Sequence, residues 1–260
     1  MQRRSVGFGL GLFSAALVAQ AAEPVAGWKP APGLSWQWQL SGTIDLTVDA
    51  VMFDVDLFDV PATTVAALHQ RGRIAVCYVN AGSFENWRPD APRFPAALKG
   101  KPLVGWPGES WLDIRQMEQL ASIMDARMDL CRAKGFDGIE LDNVDGYSND
   151  TGFPLTAADQ LRYNLLLANH AHARGLSVGL KNDLDQIPSL VGVFDWALNE
   201  ECFAENECDR LLPFIAAGKA VFNVEYVLPA AAVICPRAKR LRFSTLIKDR
   251  NLGAKRQACP

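Results

Sequence analysis

Eleven residues in the middle of the chain, Gly135-Phe136-Asp137-Gly138-Ile139-Glu140-Leu141-Asp142-Asn143-Val144-Asp145, decide its fold. A glycine that can end a helix comes first, and a short apolar strand with carboxylates at alternating positions follows it. Because alternating side chains of a strand share a face, Glu140 and Asp142 point to one side, whereas Ile139 and Leu141 point to the other. A strand that is apolar on one face and acidic on the other is typical of a parallel barrel, whose inner face ends at a reaction site.

The rest of the chain repeats this alternation of strands and helices. The predicted strands are Trp36–Leu40, Val51–Val55, Ile74–Asn80, Gly138–Asp142, Ser177–Lys181, Asp195–Asn199, Ala220–Glu225 and Phe243–Ile247. Helices are predicted at Pro61–Gln70, Ile114–Lys134 and Ala157–Arg174, and a glycine follows each of them closely. Eight strands separated by helices in a chain of 260 residues predict an α/β fold, a single-domain (β/α)8 TIM barrel over residues 23–260.

The first 22 residues are predicted to be a signal peptide. Two arginines give the segment a positive start, and the apolar run at residues 6–18 is too short to span a membrane. Ala19-Gln20-Ala21 has the small-x-small pattern of a cleavage site. We therefore expect cleavage near Ala21 or Ala22 and a secreted or periplasmic protein without stable membrane insertion.

Because exported proteins fold in an oxidising compartment, the six cysteines are candidates for disulfide bonds. Cys202 and Cys208 lie in one short polar segment and are predicted to close a small loop. Cys235 and Cys259 are predicted to tie down the C-terminal tail.

The remaining two cysteines belong to a strand and a helix. Cys77 lies in an apolar strand and Cys131 lies near the end of a helix, so they can meet in the layer between strands and helices. They are either bonded or buried as thiols, and we favour buried thiols. No closely spaced pair of cysteines or histidines predicts a zinc site.

The connection formed by residues 81–112 is long and contains Trp87, Trp106 and Trp111. A structured loop of this length either forms one wall of a binding cleft or packs on its own aromatic side chains. The sequence leaves both readings open.

Polar side chains gather at the carboxyl ends of the predicted strands. They are Asp54, Asp56, Tyr78, Asn80, Glu140, Asp142, Lys181, Asn199, Glu200, Asn223 and Glu225. In a barrel these ends meet on one face, where active sites are built. Any single member of this set can be a loop residue or a structural ion-pair partner, but acids from several strands together with one lysine predict a functional site.

Paired carboxylates favour glycoside hydrolysis, in which one carboxyl acts as the acid and the other as nucleophile or base. Flat aromatic side chains suit sugar rings, although we expect some of them in the core or at the rim instead. The aromatic candidates are Trp36, Trp38, Tyr78, Tyr147 and Tyr226.

Other chemistries fit this sequence less well. The three histidines fall on predicted helices, away from the strand ends, which argues against a His-dependent metallohydrolase or a Ser-His-Asp hydrolase. With Lys181 among the acids, a fixed metal ion is disfavoured, so we predict no metal and no cofactor. The formal charge of -3 and the lack of a basic stripe argue against nucleic acid as a partner.

A series of motifs runs in order through nearly the whole chain. They are Trp36-Gln37-Trp38-Gln39-Leu40, Phe53-Asp54-Val55-Asp56, Cys77-Tyr78-Val79-Asn80-Ala81-Gly82-Ser83, Trp111-Leu112-Asp113-Ile114, the stretch from Gly135 to Tyr147, Asn149-Asp150-Thr151-Gly152-Phe153-Pro154-Leu155-Thr156, Gly179-Leu180-Lys181-Asn182, Asn199-Glu200-Glu201-Cys202 and Phe222-Asn223-Val224-Glu225-Tyr226. Together they make the chain resemble glycoside hydrolase family 114, the endo-α-1,4-polygalactosaminidases. Leu141 departs from the proline that we expect in the family's E-P-D-N stretch, but it faces away from the site.

The resemblance implies a (β/α)8 barrel that cleaves α-1,4-linked galactosamine polymers internally. It also implies a catalytic carboxylate pair, Asp142 and Glu200. We expect Asp142 to be the nucleophile and Glu200 to be the acid/base.

Galactosamine without its acetyl group carries a largely protonated amine, so an acidic face would attract such a polymer. The residues expected to bind this polysaccharide are Trp38, Asp54, Asp56, Tyr78, Asp113, Glu140, Asn143, Asp145, Tyr147, Lys181, Asn199, Glu225 and Tyr226. We expect a monomer acting on a galactosamine-rich exopolysaccharide.

Two alternatives stay open: a non-catalytic carbohydrate-binding barrel, and a glycosidase for another α-linked glycan. Retention versus inversion at the anomeric carbon also stays open, because it depends on the separation of the two carboxylates.

Overall fold

The computed structural model describes residues 27–226 and 231–259. The predicted signal peptide lies outside these residues. The strands of the described part are β1 (Trp36–Gln39), β2 (Met52–Asp56), β3 (Ile74–Asn80), β4 (Ser83–Glu85), β5 (Lys99–Pro102), β6 (Glu109–Leu112), β7 (Gly138–Asp142), β8 (Ser177–Lys181), β9 (Trp196–Glu200), β10 (Val221–Glu225), β11 (Ser244–Ile247) and β12 (Gln257–Ala258). The α-helices are α1 (Ala62–His69), α2 (Met117–Lys134), α3 (Ala157–Ala173), α4 (Ile187–Leu190), α5 (Leu212–Ala216) and α6 (Ala231–Leu241).

The main sheet has nine strands in the order β1-β2-β3-β7-β8-β9-β10-β11-β12. Its first eight strands are parallel, and β12 pairs antiparallel with β11. All eight predicted strands are present, and each observed boundary lies within one residue of the predicted one. The indole Nε1 of Trp36 in β1 donates a hydrogen bond to the backbone oxygen of Ser244 in β11 at 2.8 Å. The sheet is therefore curled, so that its first and last parallel strands approach each other.

The two faces of the sheet bury two separate apolar clusters. One face packs under the helices through side chains such as Phe53, Ile139 and Val178. The other face holds a cluster of aromatic and aliphatic side chains around Trp36 and Phe222. Because strand side chains alternate, strands such as β2, β3, β9 and β10 contribute to both clusters.

Along the inner face, apolar side chains give way to charged ones toward the carboxyl ends of the strands. In β2 the inward positions run from Met52 to Asp54, and in β9 they run from Leu198 to Glu200. An apolar base with charged groups above it is what the sequence alternation predicts for a barrel-type site. This gradient places the candidate site at the carboxyl end of the sheet.

The three predicted helices correspond to α1, α2 and α3. Helix α2 ends at Gly135, which adopts a left-handed conformation with φ of 92° and provides the expected C-cap. It begins at Met117, three residues later than predicted, because residues 113–116 form a turn in which the Gln116 amide donates to the Asp113 oxygen at 3.1 Å.

The long third connection folds into a second, antiparallel sheet in the order β4-β6-β5. The length and tryptophan content of this connection were evident from the sequence, but its strands were not predicted. Helices α4, α5 and α6 and strand β12 were not predicted either. Three of these elements are short, and α6 contains Pro236, a residue type that usually interrupts a helix.

The structure contains three disulfides. Cys202–Cys208 and Cys235–Cys259 confirm the predicted pairs. The expectation of buried thiols at Cys77 and Cys131 is wrong, because the two residues are bonded to each other across the interface of β3 and α2. Their Cα atoms are 6.3 Å apart, a distance that a disulfide can bridge.

None of the helices in the described part of the chain combines the length and the apolar character needed to cross a membrane.

Candidate active site

A cavity of about 590 Å³ lies at the carboxyl ends of the parallel strands. The predicted site residues that line it are Trp38, Asp56, Tyr78, Asp142, Asn143, Asp145, Lys181, Glu200 and Tyr226. Tyr147 and Asn199 line an adjoining cavity of about 260 Å³, to which Asp145 and Glu200 also contribute. The structure thus brings most of the predicted residues together.

Asp142, the last residue of β7, is held by three hydrogen-bond donors. Tyr78 Oη donates to its Oδ2 at 2.7 Å, while Lys181 Nζ and the Asn143 amide donate to its Oδ1 at 2.9 and 2.8 Å. Burial alone would raise the pKa of Asp142, but the charge of Lys181 and the hydrogen bonds from Tyr78 and Lys181 outweigh it and lower the pKa. Asp142 is therefore an ionised carboxylate at neutral pH.

The loops around Asp142 pack too closely for a larger residue at Gly82. A Cβ atom there would overlap the backbone oxygen of Asn143, the residue after Asp142. The amides of Ala81 and Gly82 both donate to the backbone oxygen of Asp142 at 3.0 Å. The end of β7 is thereby fixed against the loop that follows β3.

Glu200, the last residue of β9, faces Asp142 across the same lysine. Lys181 Nζ lies 3.4 Å from Glu200 Oε2, and Tyr226 Oη donates to Glu200 Oε1. The Glu200 amide donates to the Asn182 side-chain oxygen at 3.0 Å, which positions the strand end. The Glu200 side chain is 28% exposed and that of Asp142 is 19% exposed, so both can reach a molecule in the cavity.

Lys181 joins three carboxylates in the floor of the cavity. Besides Asp142 and Glu200, its Nζ donates to Glu140 Oε1 at 3.0 Å. The same nitrogen lies 4.8 Å from the centre of the Trp38 ring, in cation–π geometry. Burial alone would lower the pKa of Lys181, but the charges of Asp142, Glu140 and Glu200 raise it well above its usual value. Lys181 is therefore a buried, charged group that lines the cavity and holds three carboxylates together.

Two of the predicted acids, Asp54 and Glu140, lie beneath the cavity and are fully buried. Trp38 Nε1 donates to Glu140 Oε2 at 2.9 Å, whereas neither oxygen of the buried Asp54 carboxyl has a hydrogen-bond partner among the described residues. Two neighbouring buried carboxyl groups repel each other when both are ionised, so one of them holds a proton. Burial, followed by the charge of Glu140, raises the pKa of Asp54 well above its usual value, so we place the proton on Asp54.

Asp113 and Glu225 line neither cavity. The Asp113 carboxylate pairs with Arg115 at 2.7 Å. Glu225 points outward from β10, and its carboxylate accepts hydrogen bonds from the amides of Phe203 and Ala204 at 3.0 and 3.3 Å. Glu225 thus holds the loop that follows Glu200. Asp56 does line the larger cavity, but its carboxylate is engaged by Arg88.

The long third connection supplies a wall that strand-end reasoning did not predict in detail. Trp87, Trp106 and Trp111 all line the larger cavity, and the first two are 52% and 51% exposed. The same wall contributes Glu85 and Glu109 from the small sheet. Their only sequence signal was the unusual length and aromatic content of the connection.

Some of the acids around the cavity titrate near neutral pH. Burial, followed by the charge of Asp142, raises the pKa of Asp145 to about 6. Burial raises the pKa of Glu109 to about 7, although Ser83 and Asn80 donate hydrogen bonds to it. Within the described residues, no group of three His, Cys, Asp or Glu side chains is arranged to hold a metal ion.

The Cys202–Cys208 disulfide should matter more for activity than for stability. It closes a short loop directly after Glu200, so its loss should cost under about 3 kcal/mol of unfolding free energy. Displacing Glu200 should cost more in rate, since small misplacements of catalytic groups are expensive. We expect the Cys202→Ser/Cys208→Ser variant to lose more turnover than thermal stability.

The Cys235→Ser/Cys259→Ser variant is the matched control, because that bond anchors the tail away from Glu200. It should lose stability and keep turnover, as measured by thermal unfolding and kinetics side by side. Equal effects of both variants on turnover would contradict a role of the first disulfide in positioning Glu200.

A parallel α/β sheet that brings two carboxylates together in an aromatic-walled cavity at its carboxyl end is the arrangement of a glycoside hydrolase. The comparison with protein families agrees: the chain matches glycoside-hydrolase family GH114 over residues 18–260 and belongs to that family.

Solved structures share this fold over most of the chain. A crystal structure of Ega3 from Aspergillus fumigatus in complex with galactosamine is 42% identical and has a TM-score of 0.86, covering 91% of this chain and 99% of that one. The glycoside hydrolase domain of PelA from Pseudomonas aeruginosa is 15% identical with a TM-score of 0.69, covering 86% and 98%. An uncharacterized protein of Deinococcus radiodurans is 28% identical over 257 residues, or 84% of this chain and 81% of its own length.

Proposed function

We propose that this glycoside hydrolase cleaves α-1,4-linked galactosamine polymers internally. The observation that carries the proposal is the pair Asp142 and Glu200, clamped by Lys181 in one cavity with a wall of tryptophans and acids. Acids that line a cavity suit a polycation, and exposed indole rings suit sugar faces. The structure of Ega3 was solved with galactosamine, which supports the choice of sugar.

We further propose that the eight parallel strands close into a (β/α)8 barrel and that the protein acts outside the cytoplasm after cleavage near Ala21 or Ala22. The contact between Trp36 and Ser244 supports closure, because it joins the first and last parallel strands. The three disulfides support an oxidising compartment.

In the proposed mechanism Asp142 is the nucleophile and Glu200 is the acid/base. The lowered pKa of Asp142 keeps it ionised for attack on the anomeric carbon, which forms a covalent glycosyl-enzyme bond. Glu200 gives its proton to the departing glycosidic oxygen, then takes a proton from the water that breaks the covalent bond.

The short distances from Lys181 to both carboxylates favour retention of configuration at the anomeric carbon. Asp142 Oδ1 and Glu200 Oε2 lie 2.9 and 3.4 Å from the same nitrogen. These two oxygens therefore lie no further apart than the sum of those distances, which is compatible with the roughly 5 to 5.5 Å carboxyl separation of retaining enzymes. We expect the first product released from an α-linked polymer to be the α-anomer, observed by proton NMR before mutarotation. Initial appearance of the β-anomer would contradict this assignment.

The substrate is tested by a reducing-end assay on a galactosamine polymer, with a neutral α-linked galactan beside it. We expect new reducing ends from the galactosamine polymer, together with a rapid fall in its chain length because cleavage is internal. Comparable activity on the galactan would favour a glycosidase of another specificity. Saturable binding of both polymers without cleavage would favour a non-catalytic binding protein.

Recognition of a cationic polymer should depend on pH. Carboxyl groups are charged above their pKa, so Asp145 and Glu109 lose their charge as the pH falls through about 6 and about 7. The substrate amines stay protonated over this range. We expect KM for the amine polymer to rise about 3- to 10-fold between pH 8 and pH 5, as the attractive charges of the half-buried Asp145 and the buried Glu109 disappear.

The matched control is the same polymer after chemical N-acetylation, which removes the positive charge. Its KM should be higher at pH 8 and nearly independent of pH. Raising the salt concentration should weaken binding of the amine polymer alone. Equal responses of both polymers to pH and salt would argue for recognition of a neutral sugar.

A further inference from the structure

The positive charges of this chain are concentrated at its C-terminal end. The described segment 231–259 contains one acid, Asp249, and the cations Arg237, Lys239, Arg240, Arg242, Lys248, Arg250, Lys255 and Arg256. The chain as a whole has 26 Lys and Arg against 29 Asp and Glu, so everything before this segment is strongly acidic. These cations do not form a regular stripe in the sequence, because they are spread over helix α6 and the loops on either side of β11.

Three of these cations line a separate cavity of about 520 Å³. Lys239 and Arg242 come from the end of α6, and Arg256 comes from the segment before β12. The cavity also includes Trp36 and Ser244, the first residues of β1 and β11. It therefore lies at the amino ends of the strands, opposite the proposed active site.

The polar groups of this cavity are not satisfied by acids of the protein. Among the described residues, Lys239 and Arg242 have no ion pair, and Arg256 donates to the backbone oxygens of Trp36 and Asp49. The carboxylate of Asp49 is the one acid in the lining, and Asp49 is solvent-exposed. The Ser244 hydroxyl is buried and has no hydrogen-bond partner in the described structure.

Helix α6 accounts for only part of this pattern. Cations at the end of a helix complement its dipole, which explains Lys239 and Arg240 without any ligand. It does not explain why Arg256, from a different segment, is half-buried in the same cavity. Nor does it explain the unpartnered Ser244 hydroxyl beside it. A bound oxyanion would pair with the cations and accept a hydrogen bond from the serine.

We propose that this cavity binds the acidic group of an anionic polysaccharide, a carboxylate or phosphate carried on a sugar. The volume of the cavity suits a sugar unit, and its lining joins apolar walls to three positive charges. The cationic substrate of the proposed active site is excluded here, because like charges repel. Single-stranded nucleic acid is disfavoured, since the aromatic residues of the lining, Trp36 and Phe243, are buried and offer no stacking face.

Acids predominate in the lining of the active-site cavity and three cations line the cavity at the opposite end, so one molecule would hold two polymers of opposite charge. The anion site would keep the protein attached to acidic polysaccharide while the opposite cavity faces a cationic chain. The proposed anion site depends only on the cavity at the amino ends of the strands. It is therefore unaffected if the proposed hydrolysis of galactosamine polymer is wrong.

The test is calorimetric titration of the whole exported protein with a galacturonic acid trimer and, separately, with a sugar phosphate, at constant ionic strength. We expect saturable binding of at least one of them, and the stronger of the two identifies the acidic group. The Lys239→Gln/Arg242→Gln variant should bind the preferred probe at least about tenfold more weakly, because two charge-assisted contacts are lost. Ser244→Ala, which keeps every charge, should weaken it several-fold.

The matched control is Arg240→Gln/Lys255→Gln, which removes the same charge from the same segment but from residues that do not line the cavity. It should change affinity less than about twofold, and thermal unfolding should confirm that all variants are folded. Equal losses in both double variants would overturn the proposal, because binding would then follow the general surface charge. The proposal would also be overturned if neither probe bound saturably, or if duplex DNA bound more tightly than both probes and its affinity did not change in the Lys239→Gln/Arg242→Gln variant.

Discussion

Asp142→Asn and Glu200→Gln are each expected to cut turnover by several orders of magnitude while leaving the protein folded. Removing a general acid or base typically costs about 10² to 10⁴-fold, and removing a nucleophile costs more. Asp142→Asn should therefore be the more severe change, because an amide cannot form the covalent bond. The measurement is the rate of new reducing ends at saturating polymer, with thermal unfolding of each variant.

The matched control is Asp125→Asn, an acid-to-amide change on the surface of α2, where Asp125 pairs with Arg174. It should leave turnover unchanged. Binding of the polymer by Asp142→Asn should persist, since the tryptophan wall and the other acids remain. Near wild-type turnover in either folded variant would remove that residue from the proposed pair and would revive the alternative of a non-catalytic binding protein.

Much of the strand layout could be predicted because it follows from local pattern. Each parallel strand is a short apolar run, and the alternation of its side chains defines an inner and an outer face. The stretch around Glu140 and Asp142 illustrates this, because both acids point inward and Ile139 and Leu141 pack under the helices. The small antiparallel sheet follows no such pattern, since its strands are short and lie within a loop rich in proline and tryptophan.

The same alternation explains which site residues the sequence placed less well. Glu200 points inward from β9, so its neighbour Asn199 must point elsewhere, and it helps to line the adjoining cavity instead. Glu225 is on the outward face of β10 and caps loop amides. A polar residue at the end of a strand thus predicts a cavity-lining residue reliably only when its side chain is also on the inner face of the sheet.

The sequence also did not predict which inward-facing residues of a strand reach the cavity and which lie beneath it. Asp54 and Glu140 have the correct inward orientation but lie one layer below the cavity, where Glu140 accepts hydrogen bonds from Lys181 and Trp38. Asp142 is two residues further along the same strand as Glu140 and does reach the cavity. The bond between Cys77 and Cys131 was missed for a related reason, because their sequence separation of 54 hides a contact that depends on how α2 packs on β3.

Replacing Lys181, which joins the buried Glu140 to Asp142 and Glu200 in the cavity, has the second-largest expected effect. Lys181→Met removes the one positive charge that Glu140, Asp142 and Glu200 share. Without it, burial and the neighbouring acids should raise the pKa of Asp142, because loss of an opposite charge can shift a carboxyl by about 1 to 3 units. A carboxyl with a raised pKa is protonated over more of the pH range, so we expect turnover at pH 6 to fall about 10²-fold or more. Part of it should return as the pH rises.

The shift of the pH profile distinguishes a change in the ionisation of Asp142 from a simple loss of folded structure. Breaking a buried ion pair also costs about 3 to 5 kcal/mol of stability, so Lys181→Met should unfold at a lower temperature. Lys219→Met is the matched control, because Lys219 is a partly buried lysine that donates only to the backbone oxygens of Val191 and Phe194. It should lose stability but keep both turnover and the wild-type pH profile. If Lys181→Met is folded and its acid limb coincides with that of the wild type, then Lys181 does not set the ionisation of Asp142, and the nucleophile must be kept ionised by Tyr78 and the Asn143 amide alone.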